Sequence, residues 1–184
     1  CERFCHALRI YMTATSWDLL QPLADAEQQF YRFRPFAPRP FFREGYRYTA
    51  TPDFSPYALK FFGGLSELLS PIRQDAHAKW LIFVDSKERG RQFASELGHL
   101  ASYVDAEAKG SAAWSEIIAT QAFSTQVLVT TSALDNGINI LDPDVRHVAV
   151  IADNRTALIQ MMGRRRIMGG EHITLWVYDP PRAV

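Results

Sequence analysis

Apolar residues along this chain fall into short unbroken runs separated by stretches with helical spacing. Leu81-Ile82-Phe83-Val84, Val127-Leu128-Val129 and Val148-Ala149-Val150-Ile151 are continuous, the pattern of strands buried on both faces. They predict strands over 80–84, 126–130 and 147–151, joined by strands over 101–104 and 172–178. Between them the spacing predicts helices over 65–74, 87–98, 112–122 and 156–167. Strand and helix alternating in this way imply βαβ crossovers, hence an α/β fold on a mainly parallel sheet.

The first fifty residues read differently. Residues 8–14 have strand character and 17–30 read as a short helix. Pro35, Pro38 and Pro40 then forbid a helix or a central strand. An extended linker is expected here, with strand character returning at 46–49 and 57–62. Arg32, Arg34, Arg39, Arg43 and Arg47 interleave with aromatic residues along it. This pattern suits a strap that packs its aromatics and lets its arginines snorkel better than a base-stacking surface. The expected division is therefore 1–50 as an extended N-terminal segment and 51–184 as the α/β domain.

Composition narrows the classes. Of 184 residues, 47% are hydrophobic and 22% charged, which suits a globular core. Basic and acidic residues number 20 each, so net charge selects no partner and placement has to. No apolar run approaches the ~20 residues of a membrane span, so no membrane partner is expected. The two cysteines, Cys1 and Cys5, make no disulfide framework and lack a second pair for zinc. No metal site is expected, and the location expected is the reducing cytoplasm.

Ligands of open parallel sheets bind beyond the carboxyl ends of the strands, so the loops there are the first candidates. Asp85-Ser86-Lys87 opens a helix that Asp85 or Ser86 can cap, with N–H groups that could take a phosphate. Asp105-Ala106-Glu107 is an acidic turn that carries little by itself. Thr130-Thr131-Ser132 leads through Asn136-Gly137 to Asn139, supplying the hydroxyls and close backbone approach that a phosphodiester or ribose needs. In the last helix, Gly163 precedes Arg164, Arg165 and Arg166. At about 100° per residue, Gln160, Arg164 and Ile167 would share one helix face. Arg164 is then placed for a phosphate oxygen, and Arg165, turned away, for the surface or a nucleic acid.

In order, these segments resemble superfamily 2 helicases of the DEAD/DEAH type. Thr13-Ala14-Thr15 resembles motif III, residues 80–87 motif IV and 103–106 the short motif after it. Residues 127–140 resemble motif V, a Thr followed after five residues by Gly-Ile-Asp. Gln160 to Ile167 resembles motif VI, Gln-x-x-Gly-Arg-x-x-Arg. The resemblance implies a RecA-like, three-layer fold of the P-loop NTPase type, here the second motor domain of an ATP-dependent helicase or translocase. It implies ATP and Mg²⁺ as cofactors, held mainly by an N-terminal RecA-like partner domain, and nucleic acid as substrate, DNA rather than RNA. Arg164, Arg166 and Gln160 become the catalytic candidates, stabilising charge on the γ-phosphoryl group. Gly137, Asn139 and Gly163 become nucleotide-binding candidates, and Ser86, Thr131 and Ser132 nucleic-acid contacts.

Two departures stand out. Ile167 occupies the place of the second motif VI arginine, with Arg166 one residue early. Asn139 replaces the usual aspartate with a neutral amide. The sequence also contains no G-x-x-x-x-G-K-[ST] loop and no DExH tetrad. Those are expected upstream of residue 1, so this segment is expected to be a piece of a longer protein, inactive by itself. The strand at 8–14 would then lack its own sheet. The competing reading is a degenerate RecA-like module kept only to bind nucleic acid or protein. A Rossmann-type enzyme is disfavoured because no G-x-G-x-x-G follows any strand.

Overall fold

The computed structural model describes residues 55–131 and 138–180. The chain divides into two units, Cys1–Thr51 and Pro52–Val184, and every described residue lies in the second. Thr13, Ala14, Thr15, the strand expected at 8–14, the arginine-rich strap, and Ser132 and Gly137 lie outside the described residues.

Six strands form one sheet: β1 (Tyr57–Phe62), β2 (Lys79–Phe83), β3 (Ala101–Val104), β4 (Val127–Thr130), β5 (Val145–Val150) and β6 (Ile173–Tyr178). Their spatial order is β1-β6-β5-β2-β4-β3, and every neighbouring pair is parallel. The parallel sheet expected from the apolar runs is therefore present, with β1 as a sixth strand at one edge. Leu81 and Phe83 of β2 enter one core layer, and Trp80 and Ile82 enter the other. That two-sided burial is why the run reads as continuously apolar. Each such side chain contributes roughly 1.5–3 kcal/mol on leaving water.

The helices flank both faces. α1 (Leu69–Gln74) follows a 3-10 turn at Leu65–Leu68, so the helix expected over 65–74 begins as a tighter coil. Pro71 sits in the first turn of α1, where its missing N–H costs nothing. α2 (Lys87–Leu97) packs Phe93 and Leu97 on the Trp80 side of the sheet. α3 (Ala112–Thr120) and α4 (Arg155–Met162) pack Ile117 and Met161 on the opposite side. α3 ends with Gln121 in the left-handed region, φ 56°. Asn154 caps α4, its Oδ1 accepting from the Ala157 N–H at 2.9 Å.

α4 is shorter than expected. The sequence predicts a helix to 167, but the structure ends it at Met162. Beyond Gly163 the chain forms a parallel bridge between Arg165 and Ile140. The Ile140 N–H donates to the Arg164 carbonyl at 2.8 Å, and the Arg166 N–H donates to the Ile140 carbonyl at 3.0 Å. Tertiary pairing thus replaces the next helical turn, and glycine, a poor helix former, offers little resistance. Among the described residues no helix is long and apolar enough to cross a membrane.

Candidate functional site

The candidate residues separate to opposite edges of the sheet. Ser86 follows β2 and Thr131 follows β4. Because Phe83 pairs with Thr130, both lie at the carboxyl edge. α4 runs back along β5 and delivers the arginines to the amino edge. There Arg165 Nε donates to the carbonyl of Val145, the first residue of β5, at 3.2 Å. A six-residue strand spans about 20 Å, which sets the scale of the separation. The carboxyl-end rule therefore finds Ser86 and Thr131 and misplaces the arginines.

At the carboxyl edge Ser86 caps α2. Its Oγ accepts from the Arg89 N–H at 3.4 Å. Every cation of the first turns of α2 faces a carboxylate: Lys87 meets Glu107 at 2.6 Å, Arg89 meets Asp85 at 3.2 Å, and Arg91 meets Glu107 at 2.9 Å and Asp105 at 3.1 Å. Asp105 is only 2% exposed. It also accepts from the Tyr103 hydroxyl and from the N–H groups of Glu107 and Ala108. Burial would raise its carboxyl pKa, but these donors and the Arg91 charge outweigh it and keep it below the ordinary value. Burial, with the Asp105 hydrogen bond and charge, pushes the Tyr103 phenol up to about 12. Thr130 and Thr131 are buried, and the Thr130 hydroxyl donates to the Thr131 carbonyl at 3.2 Å.

At the amino edge the chain from Asn139 to Ile140 lies beside Arg164 to Arg166. Arg166 is exposed, and its Nε donates to Asn139 Oδ1 at 3.0 Å. Its Nη groups have no partner among the described residues. The geometry replaces the helical-face expectation. Arg164 does not continue a helix face with Gln160 and Ile167, because residues 163–167 are not helical. Gln160 is exposed on the last turn of α4, and Gly163 follows it with an ordinary φ of −68°. Ile167 packs against the core. Arg166, one residue early in the sequence, is exposed at this edge.

Arg165 corrects a second expectation. It is 2% exposed and lies in the protein interior, not at the surface. Nη2 pairs with Glu171 Oε2 at 2.9 Å, Nη1 donates to the Arg166 carbonyl, and Nε donates to Val145. Glu171 Oε2 also accepts from the Met168 N–H at 2.8 Å. Burial alone would raise the Glu171 pKa. The Met168 N–H and the Arg165 hydrogen bond and charge prevail, holding it below the ordinary value. Nearby Tyr57 is raised by burial, against the opposing charges of Arg165 and Arg166. Sequence reasoning missed Glu171 and Tyr57, which no spacing connects to the arginines.

The donor set at this edge fits an anion. A guanidinium fixed through Nε leaves two amino groups for phosphate oxygens. It does not fit a magnesium ion, since Glu171 is committed to Arg165 and Met168.

Residues 62–167 match the model of the helicase conserved C-terminal domain, and the chain belongs to that family. The fold is similar to that of the E. coli DEAD-box protein SrmB, solved bound to regulator of ribonuclease activity A. The TM-score is 0.52 and the identity 22%, over 67% of this chain and 76% of that one. It is also similar to S. cerevisiae Dbp5 bound to RNA and ADP BeF3. There the TM-score is 0.51 and the identity 18%, over 67% of this chain but 35% of that one. A search of curated proteins gives no match.

Proposed function

We propose that this domain serves an ATP-dependent helicase or translocase as its second motor domain, with a nucleotide edge and a nucleic-acid edge on opposite ends of one sheet. The observation that carries this reading is the exposed Arg166 guanidinium, fixed by Asn139 beside Arg164, with its Nη groups open to a ligand. Bound ATP supplies the γ-phosphoryl group whose transfer to water drives the motor. Arg166 orients its Nη groups toward the phosphate oxygens, and Arg164 adds a second permanent charge. Cations fixed before the reaction stabilise charge spreading over the phosphoryl oxygens with little reorganisation. Asn139 holds Arg166 without neutralising it, as an aspartate there would in part. The two departures from motifs V and VI are thereby linked: the cation lost at Ile167 is supplied by Arg166, and the amide at Asn139 anchors it.

The carboxyl edge binds the nucleic-acid backbone through Ser86, Thr131 and helix N–H groups. Magnesium is held by acidic residues outside this domain. The test is nucleic-acid-stimulated ATP turnover of the intact protein with Ala at 164 or 166. The reading expects turnover to collapse in both. Turnover like wild type in both would favour a non-enzymatic binding module.

A further inference from the structure

Arg165 presents a physical question. A guanidinium taken out of water is costly unless it is paired and its donors are satisfied. A well-packed apolar side chain often stabilises a fold as well as a buried ion pair does, so stability by itself gives little reason for an arginine here. What the arginine supplies is direction. Its Nε, Nη1 and Nη2 reach the carbonyl of Val145, the carbonyl of Arg166 and the carboxylate of Glu171. Glu171 in turn accepts from the Met168 N–H. One planar fork thus ties the start of β5, the Arg166 backbone and the turn that leads into β6.

The bridge with Ile140 adds the second element. In extended chain, successive side chains leave on opposite sides. With Arg165 drawn inward, Arg166, the next residue along, leaves on the other side and is exposed. We propose that Arg165 and Glu171 form a buried clamp that positions Arg166 to grip a polyphosphate, while neither clamp residue touches it. This rests on the reading of the amino edge as the nucleotide edge, and it adds two positioning residues to that reading.

The probe is inorganic tripolyphosphate, titrated into the 184-residue chain. Affinity is read by calorimetry, and the Arg166 Nε–H resonance and the Ile140 and Arg166 amide exchange rates by NMR. The wild-type chain should bind with salt-dependent affinity, shift the Arg166 resonance, and lose that affinity in Arg166→Ala. Glu171→Gln leaves a buried cation poorly paired and can unfold the domain. The deciding variant is therefore the double substitution Arg165→Met with Glu171→Leu, which removes both charges. It should fold with unchanged circular dichroism, bind tripolyphosphate roughly tenfold more weakly, the scale of one charge-assisted hydrogen bond, and exchange the two amides faster. Arg165→Lys with Glu171 retained should recover only part of the affinity, since lysine lacks the fork.

A double variant that binds tripolyphosphate like wild type, with the Arg166 resonance and amide exchange unchanged, overturns the clamp and leaves the nucleotide edge standing. No binding by the wild-type chain, or binding indifferent to Arg166→Ala, overturns the reading of the edge itself and the clamp with it.

Discussion

At the carboxyl edge of the sheet Lys87, Arg89 and Arg91 each lie against a carboxylate, whereas at the amino edge Arg166 lies against the amide of Asn139. Both arrangements orient a long cationic side chain, but they leave different fields. A carboxylate cancels most of the charge it orients, and an amide leaves it whole. The carboxyl edge is therefore suited to hold a backbone through hydroxyls and N–H groups, with little net attraction. The amino edge is suited to a concentrated negative charge. Burial sharpens the contrast, because Arg165, which pairs with the Glu171 carboxylate, is turned inside.

The largest expected effect separates the edges by chemistry. In the intact protein, Arg164→Ala should lower ATP turnover by about 10³–10⁵, the range for loss of an arginine finger. Arg91→Ala, at the carboxyl edge, should leave the chemical step nearly intact. Single-turnover ATP hydrolysis measures both, and equal losses would erase the distinction.

A steric substitution probes what supports the carboxyl-edge network. A Cβ at Gly90 would lie 2.5 Å from Tyr103 Cε2 and 2.9 Å from Val84 Cγ2. Gly90→Ala should therefore destabilise the domain by about 1–3 kcal/mol through overpacking, measured by urea unfolding. An unchanged midpoint would mean that the Tyr103 ring moves aside freely.

Acid should loosen both edges. Asp105 and Glu171 have folded pKa values below their ordinary 3.8 and 4.5. Their contribution to stability is thus full above those ordinary values and is lost as pH falls through the lower folded ones. Urea midpoints from pH 7 to pH 3 should fall chiefly below about pH 4.5. The double variant Arg165→Met with Glu171→Leu should show a shallower fall. An equal fall would assign the acid sensitivity to other carboxylates.

Smaller effects belong to the carboxyl edge. Glu107→Gln releases Lys87 and Arg91 from one carboxylate. Affinity for single-stranded nucleic acid should rise, and its logarithmic salt dependence should steepen by about 0.7, one phosphate contact. An unchanged slope would mean that those cations face away from the track. Ser86→Ala should cost about 0.5 kcal/mol, the low end for an N-cap, since its hydrogen bond is long at 3.4 Å.

How much of this was legible in the sequence depends on where each decisive contact lies along the chain. The strands around Leu81–Phe83, Val127–Val129 and Val148–Val150 were readable because burial on both faces leaves an unbroken apolar run. The Ser86 cap was readable because it acts three residues away. The end of α4 was not, since helical spacing continues past Gly163 and only the pairing of Arg165 with Ile140 interrupts it. The burial of Arg165 was equally hidden: its partners Val145 and Glu171 come from other segments, and a run of three arginines looks like solvated surface. The division of the site into two edges follows from α4 running back along β5, a fact of packing that the order of motifs does not carry.

The central claim is that the two edges carry separable tasks, and one paired experiment tests it directly. In the intact protein, ATP turnover at saturating nucleic acid and the affinity for nucleic acid are measured for Arg166→Ala and Thr131→Val. Arg166→Ala should abolish most turnover and leave affinity within about twofold of wild type, a change of less than 0.5 kcal/mol. Thr131→Val should do the reverse, weakening affinity with turnover largely kept. Arg166→Ala with wild-type turnover and reduced nucleic-acid affinity would contradict the account.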